Sequence, residues 1–114
     1  MGTQNLYIET YQYHDDGYSF EINVKKGDEK LTFTIRRRNM LYSLATVYYG
    51  KCEKYGPSGS SLKMILVHKD KFDINNIIDV IIQIIIDTYG TDHNDPIFAG
   101  IRSGLNMKLS KMTK

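Results

Sequence analysis

A two-residue turn between two alternating segments constrains this 114-residue chain more than any other feature. Apolar residues occupy every second position on both sides of Gly27-Asp28, namely Phe20, Ile22 and Val24 before it and Leu31, Phe33 and Ile35 after it. A period of two places each set on one face of a strand. Glycine accepts the positive φ that a two-residue turn needs, and such a turn fixes the register. The sequence therefore predicts an antiparallel hairpin with three apolar cross-strand pairs.

A strand is also predicted at residues 5–13, and its register depends on the loop that follows it. A three-residue loop, Asp15-Asp16-Gly17, places Leu6, Ile8 and Thr10 on the core face. The three tyrosines of the strand then lie on the outer face: Tyr7, Tyr11 and Tyr13. A two-residue Asp16-Gly17 loop shifts the register by one position and turns these tyrosines inward. We favour the three-residue loop because it buries Leu6 and Ile8.

The segment after Asn39 fits two patterns. Leu41, Leu44, Ala45 and Tyr48 follow helical spacing, and Asn39 could cap such a helix. The residues Thr-Val-Tyr-Tyr at 46–49 favour a strand instead. The spacing predicts a helix over residues 40–55, followed by the loop 55–61 and a fourth strand at 61–68.

Two helices are predicted in the last third of the chain. The segment 73–90 begins with Asp73, a suitable N-cap, and ends with Gly90, a suitable C-terminal stop. The second helix is predicted to begin at Asp95-Pro96, because proline favours the first helical position. Its apolar residues recur every four positions: Ile97, Ile101, Leu105 and Leu109.

These elements predict an α+β fold, a small antiparallel sheet in the order β-β-β-α-β-α-α with the helices packed on one face. We expect a single domain over residues 1–114. The only polar stripe on the first helix is narrow: Asn75, Asp79, Gln83 and Asp87. The isoleucines on the rest of this helix form an apolar surface wider than the arc that packing against one sheet can bury. A homodimer is therefore predicted, unless the last helix covers the isoleucines that remain exposed.

Composition and charge exclude several classes of protein. Hydrophobic residues make up 41% of the chain and charged residues 25%, which is ordinary for a globular protein. The chain has one cysteine, Cys52, so no intrachain disulfide can form, which fits a reducing compartment. The first residues lack a signal-peptide pattern, and acidic residues interrupt the isoleucine-rich run. We therefore predict a cytoplasmic protein that does not enter a membrane.

The run Arg36-Arg37-Arg38 at the end of the second hairpin strand is the strongest candidate site. Residues 25–38 hold six basic residues against two acidic ones. On a strand, Arg36 and Arg38 point to the outer face, where the three tyrosines are also predicted. Guanidinium groups pair with phosphates, and exposed aromatic rings stack on bases. The structural alternative is a solvated strand end in which the arginines pair with Glu9 and Glu21.

The sequence predicts a small non-enzymatic module that holds an anionic ligand, nucleic acid or nucleotide-like, through Arg36, Arg38, Tyr7, Tyr11 and Tyr13. The alternative is a protein–protein interaction module, such as an inhibitor, immunity or adaptor protein. An enzyme is the third hypothesis, since no catalytic motif, cofactor fingerprint or metal-ligand spacing is present. We predict no catalytic residues, no metal and no cofactor. The histidine- and aspartate-rich segments 14–16 and 92–95 are interpreted as turns and caps.

Overall fold

The computed structural model describes residues 6–13, 19–50 and 60–112. The elements are β1 (Leu6–Tyr13), β2 (Ser19–Lys26), β3 (Glu29–Arg38), β4 (Leu41–Tyr49), β5 (Ser60–His68), a 3-10 helix (Lys69–Lys71), α1 (Ile74–Tyr89) and α2 (Ile97–Met112). The strands form one antiparallel sheet in the order β1-β2-β3-β4-β5. The chain divides into two compact units, Met1–Val67 and His68–Lys114. The α+β class is confirmed, while the single domain and the packing of the helices on one face of the sheet stay predictions.

The predicted hairpin of β2 and β3 is confirmed in its register. Gly27 has a φ of 62°, which glycine adopts without strain. The turn pairs Val24 with Leu31, Ile22 with Phe33 and Phe20 with Ile35. All six side chains are buried. We call the side of the sheet that carries them the core face and the opposite side the outer face.

The predicted helix over residues 40–55 is wrong, because Leu41–Tyr49 is the strand β4. Asn39 does not cap a helix but begins the two-residue turn Asn39-Met40 between Arg38 and Leu41, with a φ of 55°. Asparagine is one of the few residues that tolerates this conformation. The buried positions then alternate with a period of two: Tyr42, Leu44, Thr46 and Tyr48. The remainder of the predicted helix, residues 51–55, lies outside the described residues.

The strand β1 combines both registers that its sequence allows. Ile8 pairs with Val24, as the three-residue loop predicts, whereas Tyr11 pairs with Ile22 and Tyr13 with Phe20, as the two-residue loop predicts. A bulge between Ile8 and Thr10 shifts the register by one position. The loop at residues 15–17 lies outside the described residues. The bulge therefore places Tyr7 in one register and Tyr11 and Tyr13 in the other, so the single register assumed for the three tyrosines does not hold.

A polar contact closes the end of the core face near the β2–β3 turn. The buried Tyr48 hydroxyl donates a hydrogen bond to Glu29 Oε1 at 2.5 Å. Gly50 passes so close to this pair that a Cβ there would lie 2.6 Å from Tyr48 Oη and 3.1 Å from Glu29 Cγ. Position 50 therefore favours glycine for reasons of space, and its φ of 157° strains any other residue as well.

Thr46 is an exception on the core face, and it provides a stability prediction. It lies opposite Phe33, it is fully buried, and its Oγ1 has no hydrogen-bond partner within the described ranges. Thr46→Val keeps the shape and removes the desolvated hydroxyl, so it should stabilise the protein by about 1 kcal/mol. Urea denaturation measures this, and Thr34→Val on the outer face of β3 is the control. A Thr46→Val protein less stable than wild type would contradict the prediction and indicate a partner for the hydroxyl.

Helix α1 has the predicted ends. The Asp73 side chain accepts a hydrogen bond from the Asn75 backbone N–H at 2.9 Å, and Gly90 is left-handed with a φ of 66°. The polar stripe of Asn75, Asp79, Gln83 and Asp87 is exposed. Six isoleucines are buried within the single chain: Ile77, Ile78, Ile81, Ile82, Ile84 and Ile85. The homodimer prediction assumed that these side chains need a second copy, and it loses that support.

Helix α2 contacts α1 within the second unit. Its buried side chains recur at the predicted spacing, with Ile101, Leu105 and Leu109 fully buried. Arg102 Nη1 lies 2.8 Å from Asp79 Oδ1, so an ion pair also joins the two helices. A Cβ at Gly100 on α2 would meet no atom within 4 Å. The contact between α1 and α2 therefore does not depend on a small residue at position 100.

Candidate anion-binding surface

The two predicted arginines lie on the outer face of β3. Arg36 is paired in register with Ser19 on β2 and Ser43 on β4, and Arg38 is paired with Leu41 next to the turn. Arg36 Nε donates to the buried Ser19 Oγ at 3.0 Å. This bond orients the guanidinium group and leaves its other N–H groups without a partner among the described residues. Both arginines are exposed.

The described contacts of Arg36 and Arg38 do not include Glu9 or Glu21. Glu9 Oε2 lies 3.5 Å from Lys25 Nζ. Glu21 Oε2 accepts a hydrogen bond from Asn23 at 2.7 Å. Arg38 has no ion pair with any described side chain. The guanidinium groups of Arg36 and Arg38 therefore have donors available to an external anion.

The three predicted tyrosines occupy two different registers of β1. Tyr7 is on the outer face opposite Lys25, and 49% of its surface is exposed. Tyr11 and Tyr13 take register positions opposite the core residues Ile22 and Phe20. Of the three, Tyr7 has a described side chain, and it lies at the end of the sheet farthest from Arg38.

A row of residues that the sequence analysis missed crosses the outer face at the level of Tyr7. Four positions on four adjacent strands are paired in register: Tyr7, Lys25, Lys30 and Tyr49. Lys30 Nζ lies 4.9 Å from the centre of the Tyr49 ring, and 39% of Tyr49 is exposed. We call these four residues the Lys–Tyr row.

Two signals could have found the Lys–Tyr row. The Gly27-Asp28 turn already implies that Lys25 lies opposite Lys30, since the same register pairs Val24 with Leu31. Tyr49 could be placed only by recognising β4 as a strand.

Like charges directly opposite each other, such as Lys25 and Lys30, disfavour a sheet. Glu9 and Tyr49 offset part of this repulsion, and an anion bound between the lysines would offset the rest.

The spacing of the cations limits the size of a ligand that contacts them all. Lys30 and Arg36 are six positions apart on β3, a distance of about 20 Å along an extended strand. Thr32 and Thr34 lie between them on the outer face, with Ala45 and Val47 on the neighbouring strand. On β2 the same face carries Glu21 opposite Thr34 and Asn23 opposite Thr32, so one carboxylate lies between the two cationic ends. A mononucleotide is too short to contact both ends, whereas an extended polyanion is long enough.

The other candidate residues have structural roles. Asp95 Oδ1 accepts from the Ile97 backbone N–H at 3.0 Å, and Asp92 Oδ1 accepts from the Asn94 backbone N–H at 2.9 Å. His68 Nδ1 accepts from the Asp70 backbone N–H at 3.2 Å. The part of the chain that the structure describes holds no group of three His, Cys, Asp or Glu residues that could bind a metal. Cys52 and the segment 14–16 lie outside the described residues.

No family model matches this chain, and neither the curated proteins nor the solved structures contain a match to it. Neither described helix has the length and apolar character needed to cross a membrane.

Proposed function

We propose that this protein is a non-enzymatic binding module that holds a single-stranded nucleic acid along the outer face of its sheet. The observation that carries the proposal is the pair of cationic ends on β3, Lys30 at one end and Arg36 with Arg38 at the other. Exposed tyrosines flank the first end. This arrangement favours an extended polyanion over a nucleotide.

The exposed tyrosines favour a single strand over a duplex. Tyr7 and Tyr49 lie at the two edges of the Lys–Tyr row, with the lysines between them. An unpaired base can stack on an exposed ring while its phosphates contact the adjacent cations. The bases of a duplex already stack on each other and leave the rings unused.

Arg36→Ala/Arg38→Ala should weaken binding to a fluorescein-labelled single-stranded oligonucleotide and reduce its salt dependence. Each lost phosphate contact lowers the slope of log affinity against log salt by about 0.7 for single strands, so two contacts lower it by about 1.4. Fluorescence anisotropy at several salt concentrations measures both quantities. Thermal stability should fall modestly, because both side chains are exposed but Arg36→Ala removes the hydrogen bond to the buried Ser19 Oγ.

Lys69→Ala/Lys71→Ala is the matched control, since it removes two exposed cations that do not belong to the sheet face. It should leave the salt slope unchanged. Tyr7→Ala should lower affinity at every salt concentration without changing the slope, because stacking involves no counterion release. Wild-type protein that does not bind the oligonucleotide at low salt, or equal losses in both double variants, would refute the proposal.

A protein–protein interaction module is the second candidate function. The observation that favours it is a pair of exposed apolar side chains on the edge strand β5, Met64 and Leu66. These side chains have no use in binding phosphate. A basic face and an apolar edge can also serve the same protein.

A further inference from the structure

A carboxylate lies on the outer face of the sheet, between the two cationic ends of the proposed nucleic-acid surface. Glu21 on β2 is paired with Thr34 on β3, which is two positions from Arg36 and four from Lys30. Its side chain points to the same face as these cations, because the residues before and after it on β2 are buried on the core face. A strand that spans both cationic ends therefore passes beside Glu21.

Two neighbouring side chains hold the Glu21 carboxylate in place. Asn23 Nδ2 donates to Glu21 Oε2 at 2.7 Å, and Asn23 Oδ1 in turn accepts from Thr32 Oγ1. Asn23 is buried, whereas Glu21 and Thr32 are half-buried. This chain of hydrogen bonds orients the carboxylate. Since a carboxylate offers about four acceptor positions, Glu21 can accept from a ligand as well as from Asn23.

The charge of Glu21 excludes a phosphate as its partner. A carboxylate has only acceptors, as the oxygens of a phosphodiester do, so the two groups repel each other. The N–H donors of a nucleic acid belong to its bases. A strand whose phosphates contact Lys30 and Arg36 therefore presents a base, rather than a phosphate, to Glu21.

Guanine is the base whose hydrogen-bonding edge matches a carboxylate. Its Watson–Crick edge carries two adjacent donors, N1–H and N2–H, which can meet the two carboxylate oxygens in parallel. Adenine and cytosine carry one amino donor beside a ring nitrogen that accepts, and thymine carries one donor between two carbonyl oxygens. Each of these acceptors would face a carboxylate oxygen. We infer that Glu21 binds one guanine of the strand, an assignment that rests on the function proposed above.

The test compares fluorescein-labelled thymidine oligonucleotides in which one central base is replaced by guanine, adenine, cytosine or hypoxanthine. Fluorescence anisotropy should show that wild type binds the guanine strand at least about fivefold more tightly than the all-thymine strand, because a good bidentate pair discriminates between bases by this factor or more. Hypoxanthine keeps N1–H and lacks the amino group of guanine, so its strand should bind with intermediate affinity.

Glu21→Gln keeps the shape of the side chain and an acceptor for Asn23 but replaces the second acceptor with an amide donor. The guanine preference should disappear, while affinity for the all-thymine strand should stay the same or rise, because repulsion of the phosphates is removed. Retained binding of the all-thymine strand also shows that the variant is folded. Glu9→Gln is the matched control, since it removes the same charge from an exposed carboxylate on β1. It should keep the guanine preference.

The possible failures are distinguishable. Equal affinities of wild type for the guanine, adenine and thymine strands would overturn the inference and leave the proposed function standing. A guanine preference that survives Glu21→Gln would overturn the role of Glu21. Tightest binding of the cytosine strand, or equal binding of the hypoxanthine and guanine strands, would overturn the pairing with two guanine donors. Wild type that binds none of the strands at low salt would refute the proposed function and this inference together.

Discussion

Phe33→Ala should lower the free energy of unfolding by about 3–5 kcal/mol, the largest effect that we expect from a single substitution. Phe33 is fully buried on the central strand, between Ile22 on β2 and Thr46 on β4. Truncation removes the apolar contacts of the ring and leaves a cavity that neighbouring strands fill poorly, because both are held by backbone hydrogen bonds. Urea denaturation followed by circular dichroism measures the change.

Two further variants make this experiment specific. Phe33→Leu keeps most of the volume and should cost less than about 1.5 kcal/mol. Thr34→Ala lies on the same strand but on the outer face, and it should cost no more than about 1 kcal/mol. Equal losses for Phe33→Ala and Thr34→Ala would mean that the two faces of β3 do not differ in burial as described.

Gly50→Ala should destabilise the protein by about 3 kcal/mol, because the new methyl group has no room beside Tyr48 and Glu29. The overlap forces the Tyr48 hydroxyl away from the Glu29 carboxylate, so the loss of a charge-assisted hydrogen bond adds to the steric cost. Thermal or urea denaturation gives the magnitude.

A double-mutant cycle with Tyr48→Phe identifies the cause. Tyr48→Phe removes the hydroxyl oxygen, which is the atom nearest to the new Cβ, and with it the hydrogen bond to Glu29. Gly50→Ala should therefore lower the free energy of unfolding less in this background than in wild type. Gly100→Ala is the matched control, since a Cβ there meets no atom within 4 Å in the interior of α2. It should stabilise the protein by about 0.5–1 kcal/mol. Additive effects in the cycle would show that the contact with Tyr48 is not the reason for glycine at position 50.

The candidate site was only partly predictable. Arg36 and Arg38 could be assigned to the outer face because they continue an alternation that a two-residue turn had already set. The register of the tyrosines could not be predicted in the same way. A one-residue bulge changes the register of every residue beyond it, and the sequence alone does not reveal a bulge. Lys25 and Lys30 follow from the same turn as the arginines, but neither is part of a conspicuous run of charge.

The sequence by itself determined the elements in which local chemistry and periodicity agree. Gly27 and the alternating apolar residues specify the β2–β3 hairpin, and Asp73 and Gly90 specify the ends of α1. The tertiary structure decided the elements in which local signals conflict. Residues 41–49 fit both a helical spacing and a period of two, and pairing with β3 selected the strand because it buries Tyr42, Leu44 and Tyr48 together. The register of β1 was likewise decided by its pairing with β2, where the bulge lets Ile8 and Tyr11 both lie opposite core residues.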